Sequence, residues 1–388
     1  MRVAPLLLAL FAAPSLGACA STPHEPHGPQ PKFPEPTAIS VVPSEPRKVA
    51  GEDVALSFDR GIWHIEGTLT MPERAENARV PAIVIVHGSG PMSRDGVMRG
   101  QIGLGFGFEF PVYKKLAAGL AKRGFAVYRY DKRTCGQFNG CSEKGFTSIP
   151  FDMLETAFST KEYIGDAVAA MDAVQKMPNI DPERTFFIGH SEGGELVPLL
   201  LSERKSVRAG VMLAPPFHTM TIVLEQQSER LRWAFSTIGE TNRAIKESTE
   251  LREAAHSLEL IENGTYLGGL ILGQPPGLWA SWLEIAKKAP LVARDIEQPL
   301  LVLGGGYDFN VALSEIDAWN QWLTATKQTH HRVKVFPCVT HALNCITQPD
   351  PARVREGDIG HDIDAELLDE IVLFLQTNRT SAVTSIQR

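Results

Sequence analysis

The sequence is 388 residues long, which is enough for one large domain with insertions or for two domains. Apolar residues make up 43% of the chain and charged residues 21%, the proportions of an ordinary soluble globular protein. The formal net charge is -7 and no stretch is rich in lysine and arginine. These values argue against a general nucleic-acid binder.

The first 18 residues have the features of a signal peptide. Arg2 precedes an apolar run over residues 3–13, which is too short to span a bilayer, and small residues follow it. Residues 16–19, LGAC, resemble a bacterial lipobox, and the resemblance implies that Cys19 is lipidated and anchors an exported protein on the periplasmic face of the envelope. Ala20 in place of aspartate favours the outer membrane. A plain signal peptide with an incidental cysteine is the alternative.

Residues 19–50 are rich in Pro, Glu, Ser and His and have too little apolar content for a core, so we predict a disordered tether. The four remaining cysteines form two local pairs, Cys135 with Cys141 and Cys338 with Cys345. Two short disulfides are expected in an exported protein, although other pairings stay open. The spacings C-x5-C and C-x6-C are poor for a zinc site, and we expect neither a metal nor a cofactor.

Strand and helix patterns then alternate along the chain. A hairpin is predicted over residues 53–70, strands over 80–86 and 125–130, and helices over 111–123 and 160–177. Further strands are predicted over 185–188, 210–214, 298–303 and 332–336, and helices over 314–326 and 364–376. This alternation predicts a mostly parallel sheet with helices on both faces. Residues 51–215 and 291–380 form the predicted core, and residues 216–290, which show no strand pattern, a helical lid.

Ser191 lies at the centre of a G-x-S-x-G motif between a strand pattern and a helix pattern. This is the nucleophile elbow, in which a strained turn presents the serine hydroxyl and the flanking glycines avoid collisions. A glycine-rich turn with an inert serine is the alternative.

A serine nucleophile requires an acid and a base, which follow it in that order in this architecture. Asp308 is the candidate acid because it comes just after a late apolar strand and a glycine turn; Glu315 and Asp317 are weaker candidates in the next helix. An aspartate that only satisfies its own turn is the alternative role. His341 follows the next strand and is the candidate base, with His361 as its competitor.

Two backbone N–H groups should bind the oxyanion. One is that of Glu192, directly after the nucleophile, and the other comes from the loop after strand 80–86, where Ser89 is the first choice and Gly88 the second. Trp279 and Trp282 are candidate lining residues of the lid pocket, although ordinary burial would also explain them.

Five motifs in this order resemble those of α/β-hydrolases: HGSGP at 87–91, DKR with a glycine at 131–136, GHSEGG at 189–194, GGGYD at 304–308 and VTHAL at 339–343. The chain looks most like the bacterial esterase and dienelactone-hydrolase-like branch, over about residues 54–375. The resemblance implies an α/β-hydrolase fold and ester hydrolysis by Ser191, Asp308 and His341. Residues 131–136 depart from the more usual Arg-Gly-x-Gly-x-Ser, so no function is carried onto them.

The sequence therefore predicts a serine hydrolase that cleaves small-molecule carboxylic esters through an acyl-enzyme intermediate. An acyltransferase or peptidase with the same three residues is one alternative, and a non-catalytic surface binding protein of the same fold is another. The oligomeric state and the acyl chain length do not follow from the sequence.

Overall fold

The computed structural model describes residues 48–98, 109–133, 135, 157, 159–326 and 330–378. The predicted signal peptide, the predicted lipidation site Cys19 and nearly all of the predicted tether lie outside the described residues and stay predictions. Within the described part of the chain, no helix is both long enough and apolar enough to cross a membrane.

Eight strands form the central sheet of the described structure: β1 Asp53–Arg60, β2 Trp63–Thr70, β3 Val80–Val86, β4 Ala126–Tyr130, β5 Ile180–His190, β6 Ala209–Leu213, β7 Leu300–Gly305 and β8 His331–Phe336. Their spatial order is β8-β7-β6-β5-β3-β4-β2-β1. β1 pairs with β2 and β2 with β4 in antiparallel fashion, and the remaining pairs are parallel. Two small pairs lie apart from this sheet, Lys48–Val49 with Arg74–Ala75 and Val97–Met98 with Phe110–Pro111.

The burial of the strands explains their sequences. Every residue of β3 is buried, because helices cover both faces of the parallel part of the sheet. β1 alternates between exposed and half-buried residues, as expected of an edge strand with one solvated face. The predicted hairpin is confirmed, and Gly61, at a φ of +59°, provides its tight turn.

Eight helices accompany the sheet in the described residues: α1 Val112–Ala121, α2 Thr160–Gln175, α3 Glu192–Glu203, α4 Met220–Thr237, α5 Thr241–Glu262, α6 Pro276–Asp295, α7 Leu313–Ala325 and α8 Ala365–Thr377. A short 3₁₀ turn, Glu356–Asp358, precedes α8. α1 and α8 pack on one face of the sheet. α2, α3, α7 and part of α6 pack on the other face.

The segment between β6 and β7 consists of helices α4, α5 and α6, which we call the cap. α4 and α5 pack along each other through an apolar cluster that includes Val223, Leu251 and Leu258. The predicted helical insertion is therefore confirmed as part of the fold. Its predicted end at residue 290 falls inside α6, which continues through Pro290 to Asp295 because its apolar residues pack on the core as far as Ala293.

Candidate active site

Ser191 lies in a strained turn between β5 and α3. Its backbone has a φ of 56° and a ψ of -125°, a conformation that a side chain with a Cβ rarely adopts. The Ser191 N–H donates to the carbonyl of Leu213 at 2.7 Å, and the Gly194 N–H donates to the carbonyl of Ser191 at 2.8 Å. These bonds maintain the turn at the carboxyl end of β5, as the elbow motif predicts.

The two flanking glycines allow the close packing that this turn requires. A Cβ on Gly193 would lie 2.4 Å from the backbone carbonyl oxygens of both Val86 and His87. A Cβ on Gly189 would lie 2.1 Å from the carbonyl oxygen of Gly193. Because these neighbours are backbone atoms, the start of α3 can approach β3 and β5 only if both positions are glycine.

Asp308 follows β7 and has both carboxylate oxygens bound. Oδ1 accepts hydrogen bonds from the N–H groups of Asn310 at 2.7 Å and Val311 at 2.9 Å. Oδ2 accepts from Nδ1 of His341 at 2.8 Å. Burial alone would raise the pKa of the Asp308 carboxyl, but the charge and hydrogen bond of His341 and the two backbone donors together hold it below its usual range.

His341 is buried in the loop after β8, and its partner determines its tautomer. The Asp308 carboxylate can only accept, so Nδ1 of His341 carries a proton, and in the neutral ring Nε2 is the acceptor. A disulfide between Cys338 and Cys345 closes this loop, with a Cα–Cα distance of 4.8 Å. The loop thus holds the imidazole with Nδ1 towards Asp308 and Nε2 on the other side of the ring.

The competing candidates for the acid and the base lie elsewhere. Glu315 is fully buried, but its carboxylate accepts from the N–H groups of Phe217 and His218 and from the His218 ring. Asp317 and His361 are exposed. Of the predicted pairs, the structure brings together Asp308 and His341.

Ser191 and His341 make no direct hydrogen bond in the described structure. Within the described structure the Ser191 Oγ makes no hydrogen bond, while the rings of His341 and His190, the residue before Ser191, have centroids 4.7 Å apart. Contacts between a nucleophile and its base are often long in a free enzyme and shorten when substrate binds.

His190, which the sequence analysis did not single out, connects the three loops around Ser191. Its Nε2–H donates to the carbonyl of His341 at 2.9 Å, so its Nδ1 accepts from the Tyr113 hydroxyl at 3.2 Å. The Tyr113 oxygen in turn accepts from the Gly88 N–H at 2.8 Å. Burial and the nearby charge of His341 lower the pKa of His190 to about 3, so this ring stays neutral.

This chain of hydrogen bonds corrects one predicted oxyanion donor. The N–H of Gly88, the second choice, already donates to Tyr113 and is not available to a ligand. The N–H groups of Ser89 and Glu192 make no hydrogen bond with any described residue. The predicted oxyanion donors are therefore the N–H groups of Ser89 and Glu192.

The side chain of Glu192 forms a buried ion pair behind the elbow. Lys132 Nζ lies 3.3 Å from its Oε2 and also donates to the carbonyl of Gly88 at 3.0 Å. Burial raises the pKa of Glu192 and lowers that of Lys132, while each charge opposes the shift of the other. Lys132 thus links the elbow to the loop that carries Ser89.

A pocket lies beside Ser191, between the core and the cap. Ser89, Gly90 and Glu192 contribute to its core wall, and the cap supplies five residues of its other wall: Met220, Val223, Gln227, Gln274 and Trp279. Trp279 is fixed there by a hydrogen bond from its Nε1 to the carbonyl of Ile271 at 2.9 Å. The predicted position of Trp279 beside the pocket agrees with the structure.

The corresponding prediction for Trp282 is wrong. Trp282 lines a second, interior cavity with His87, Lys132 and Tyr163 instead of the pocket beside Ser191. Trp279 packs in the apolar cluster of the cap and Trp282 in that of the core, because α6 lies between the two.

The cap also positions the loop that follows Asp308. From α4, Gln227 Nε2 and Arg230 Nη2 each donate to the carbonyl of Asn310 at 2.8 Å, and Arg230 Nε donates to that of Phe309 at 3.2 Å. Sequence reasoning missed both residues, since a charged, helical stretch gives no indication of which loop, about 80 residues later, it will contact.

The predicted disulfide of Cys338 with Cys345 is confirmed. Asp364 lies close to these two sulfur atoms, but their mutual bond removes the thiolates that a metal site would need. Cys135 is also disulfide-bonded, and Cys141, its predicted partner, lies outside the described residues.

Replacing Gly193 with alanine should destabilise the protein strongly. The added Cβ would collide with two backbone oxygens that cannot move independently of β3, so we expect a loss of about 3 kcal/mol or more, or failure to fold. Gly277→Ala is the matched control, because its Cβ would meet open space in the first turn of α6 and alanine favours helices. The prediction is contradicted if Gly193→Ala has the same free energy of unfolding in urea as the wild type.

Replacing Asp308 with asparagine should give a pH-dependent loss of stability. The lowered pKa means that the carboxylate stabilises the fold fully above the unfolded-state pKa of about 3.9, and that this contribution is lost as the pH falls through the lower folded-state value. We expect a destabilisation of about 2 kcal/mol at pH 7 and 5 that shrinks towards pH 3. The exposed Asp317→Asn is the control. If the difference in free energy of unfolding between the wild type and Asp308→Asn, measured with urea, grew towards pH 3, the stabilising role of the Asp308 carboxylate would be disproved.

Comparisons with known proteins agree with this geometry. The family Hydrolase_4, described as serine aminopeptidase, S33, matches residues 104–345, which include Ser191, Asp308 and His341. The esterase EstD of Thermotoga maritima is 25% identical over 312 residues, which cover 80% of this chain and 65% of EstD, just under two thirds of its length.

Solved structures of similar fold include the acylaminoacyl peptidase of Pyrococcus horikoshii. Its orthorhombic crystal form has a TM-score of 0.52 at 16% identity, covering 87% of this chain and 44% of the peptidase. Its uncomplexed form has a TM-score of 0.51 at 15% identity, covering 87% and 43%. At such identities the likeness concerns the fold alone, and together with the sheet and the cap it confirms the predicted α/β-hydrolase fold. The family model of Hydrolase_4 matches more than half of the sequence. The chain therefore belongs to the Hydrolase_4 family, described as serine aminopeptidase, S33.

Proposed function

We propose that this protein is a serine hydrolase that cleaves carboxylic esters through an acyl-enzyme intermediate. The observation that carries the proposal is the hydrogen bond of 2.8 Å between Asp308 and His341, formed next to the strained turn of Ser191. The Ser191 hydroxyl has no hydrogen-bond partner among the described residues, and the ring of its neighbour His190 packs on that of His341 with centroids 4.7 Å apart. The similarity to EstD adds support.

In the proposed reaction, the Ser191 Oγ attacks the ester carbonyl while His341 Nε2 accepts its proton. The Asp308 carboxylate stabilises the imidazolium that forms, and the free N–H groups of Ser89 and Glu192 bind the oxyanion. His341 then protonates the leaving alcohol as the carbonyl–oxygen bond breaks. A water molecule, deprotonated by His341, attacks the acyl-enzyme and releases the acid and Ser191. Each oxyanion donor is typically worth about 10²–10³ in rate.

An aminopeptidase is the second candidate, because the family carries that description. Such an enzyme has to bind the α-ammonium group of its substrate, for which a free carboxylate in the pocket would be needed. Among the described lining residues the one carboxylate is Glu192, and Lys132 already binds it. The remaining lining residues are neutral, which favours an uncharged ester substrate.

Replacing Ser191 with alanine should abolish turnover of short nitrophenyl esters and labelling by a fluorophosphonate probe. Loss of the nucleophile should lower kcat/KM by at least about 10⁴-fold. Ser202→Ala, whose hydroxyl binds a carbonyl within α3 away from the pocket, should retain both properties. A chain-length series of nitrophenyl esters, with aminoacyl nitroanilides alongside, measures both activities. Undiminished ester turnover in Ser191→Ala would rule out the mechanism, and a clear preference for the nitroanilides would favour the peptidase.

We further propose that the protein is exported and anchored through lipid on Cys19, which the lipobox-like LGAC and the disulfide between Cys338 and Cys345 support. The wild type, expressed in a bacterium, should partition into detergent and carry a lipidated Cys19 at its mature N-terminus, because acyl chains bind membranes. Cys19→Ala should lose this partitioning, whereas Ser21→Ala should keep it. An unmodified Cys19 in the mature wild type, found by mass spectrometry, would overturn the proposal.

A further inference from the structure

Gln274 is a buried polar residue in the pocket beside Ser191. The residue is only 5% exposed, yet its side-chain amide makes no hydrogen bond with any described residue. Its Oε1 and Nε2 have no partner but are not fully enclosed by protein, so both atoms reach open space. Because the residue is otherwise buried and lines this pocket, that open space is the pocket itself.

A tight turn holds Gln274 in place. Residues 271 and 274 exchange two backbone hydrogen bonds of 2.9 Å each, and the two residues between them, Leu272 and Gly273, have φ values of +47° and +76°. Positive values at both central positions are those of a type I′ turn, which leucine adopts only with strain. Trp279 binds the carbonyl of Ile271 and so fastens the turn to α6. The amide is therefore presented on a fixed support.

The rest of the cap wall offers few competing polar groups. Met220, Val223 and Trp279 are apolar, and the Nε2 of Gln227 is already bound to the carbonyl of Asn310. Gln274 is thus the cap-wall residue of the described structure whose side-chain amide has no hydrogen-bond partner at all. A buried amide left unpaired is unfavourable, so this wall should favour a ligand that pairs with it.

We propose that Gln274 determines specificity, by donating a hydrogen bond from Nε2 to a neutral oxygen in the acyl chain of the substrate. The preferred substrates are then esters whose acyl chain carries an ether, hydroxyl or carbonyl oxygen, in place of plain alkanoates. A neutral amide selects a neutral partner, because a charged group would be buried here without a counter-ion. This inference rests on the proposed esterase function.

The test compares nitrophenyl esters in which an ether oxygen replaces one methylene: methoxyacetate with butyrate, 3-methoxypropanoate with pentanoate, and 4-methoxybutanoate with hexanoate. For each pair, the ratio of kcat/KM values is measured in the wild type and in Gln274→Met, which keeps the side-chain length but not the amide. The quotient of the two ratios cancels the intrinsic reactivity of the esters and the active fraction of each preparation. We expect a quotient of about tenfold in favour of the ether for at least one pair.

Gln298→Met is the control, since Gln298 is buried outside the pocket and its Nε2 binds the carbonyl of Leu201. Its quotients should be close to one, and Gln274→Leu should repeat the result of Gln274→Met. Quotients within twofold of one for all three pairs in both Gln274 variants would overturn the role of Gln274 while leaving the esterase proposal intact. If the wild type hydrolyses none of the six esters faster than Ser191→Ala, both proposals fail.

Discussion

A chain of three hydrogen bonds through Tyr113 and His190 holds the candidate site together. They run from the Gly88 N–H to the Tyr113 oxygen, from the Tyr113 hydroxyl to His190 Nδ1, and from His190 Nε2 to the carbonyl of His341. The Tyr113 hydroxyl can donate to Nδ1 only while His190 is neutral, and burial secures that state by lowering the pKa of His190. The loop with Ser89, the elbow with Ser191 and the loop with His341 are therefore fixed relative to one another by one uncharged ring.

Asp308 and Glu192, two buried carboxylates near Ser191, have pKa values shifted in opposite directions because their partners differ. Asp308 is bound by two backbone N–H groups and the His341 ring, so its pKa falls below the usual range despite burial. Glu192 has one partner, Lys132, and burial prevails, so its pKa rises. The environment of Asp308 keeps a negative charge next to the His341 imidazole. The pair of Glu192 and Lys132 connects the elbow to the loop after β3, because Lys132 also donates to the carbonyl of Gly88.

The cap lines the pocket and also binds the loop that follows Asp308. Gln227 and Arg230 of α4 bind the carbonyls just after Asp308, while Gln226 of the same helix binds Glu315. The helix that supplies part of the pocket wall thus also orders the loop of the candidate acid. α4 therefore contacts both the pocket beside Ser191 and the loop that carries Asp308.

The sequence by itself determined the elements whose signals are local. The buried strand of β3, the glycines around Ser191 and the carboxylate after β7 all follow from the composition and spacing of a few neighbouring residues, and the order of the motifs along the chain pointed to the fold. Only the tertiary structure decided what Gly88 and Gln227 bind, which cavity Trp282 lines, and that the Gln274 amide has no partner in the described residues. Whether an N–H is already occupied, or which cavity a tryptophan faces, depends on atoms from elements far apart in the sequence. The strained turn at Ser191 was readable because backbone sterics are local, whereas the choice of substrate depends on packing between the cap and the core.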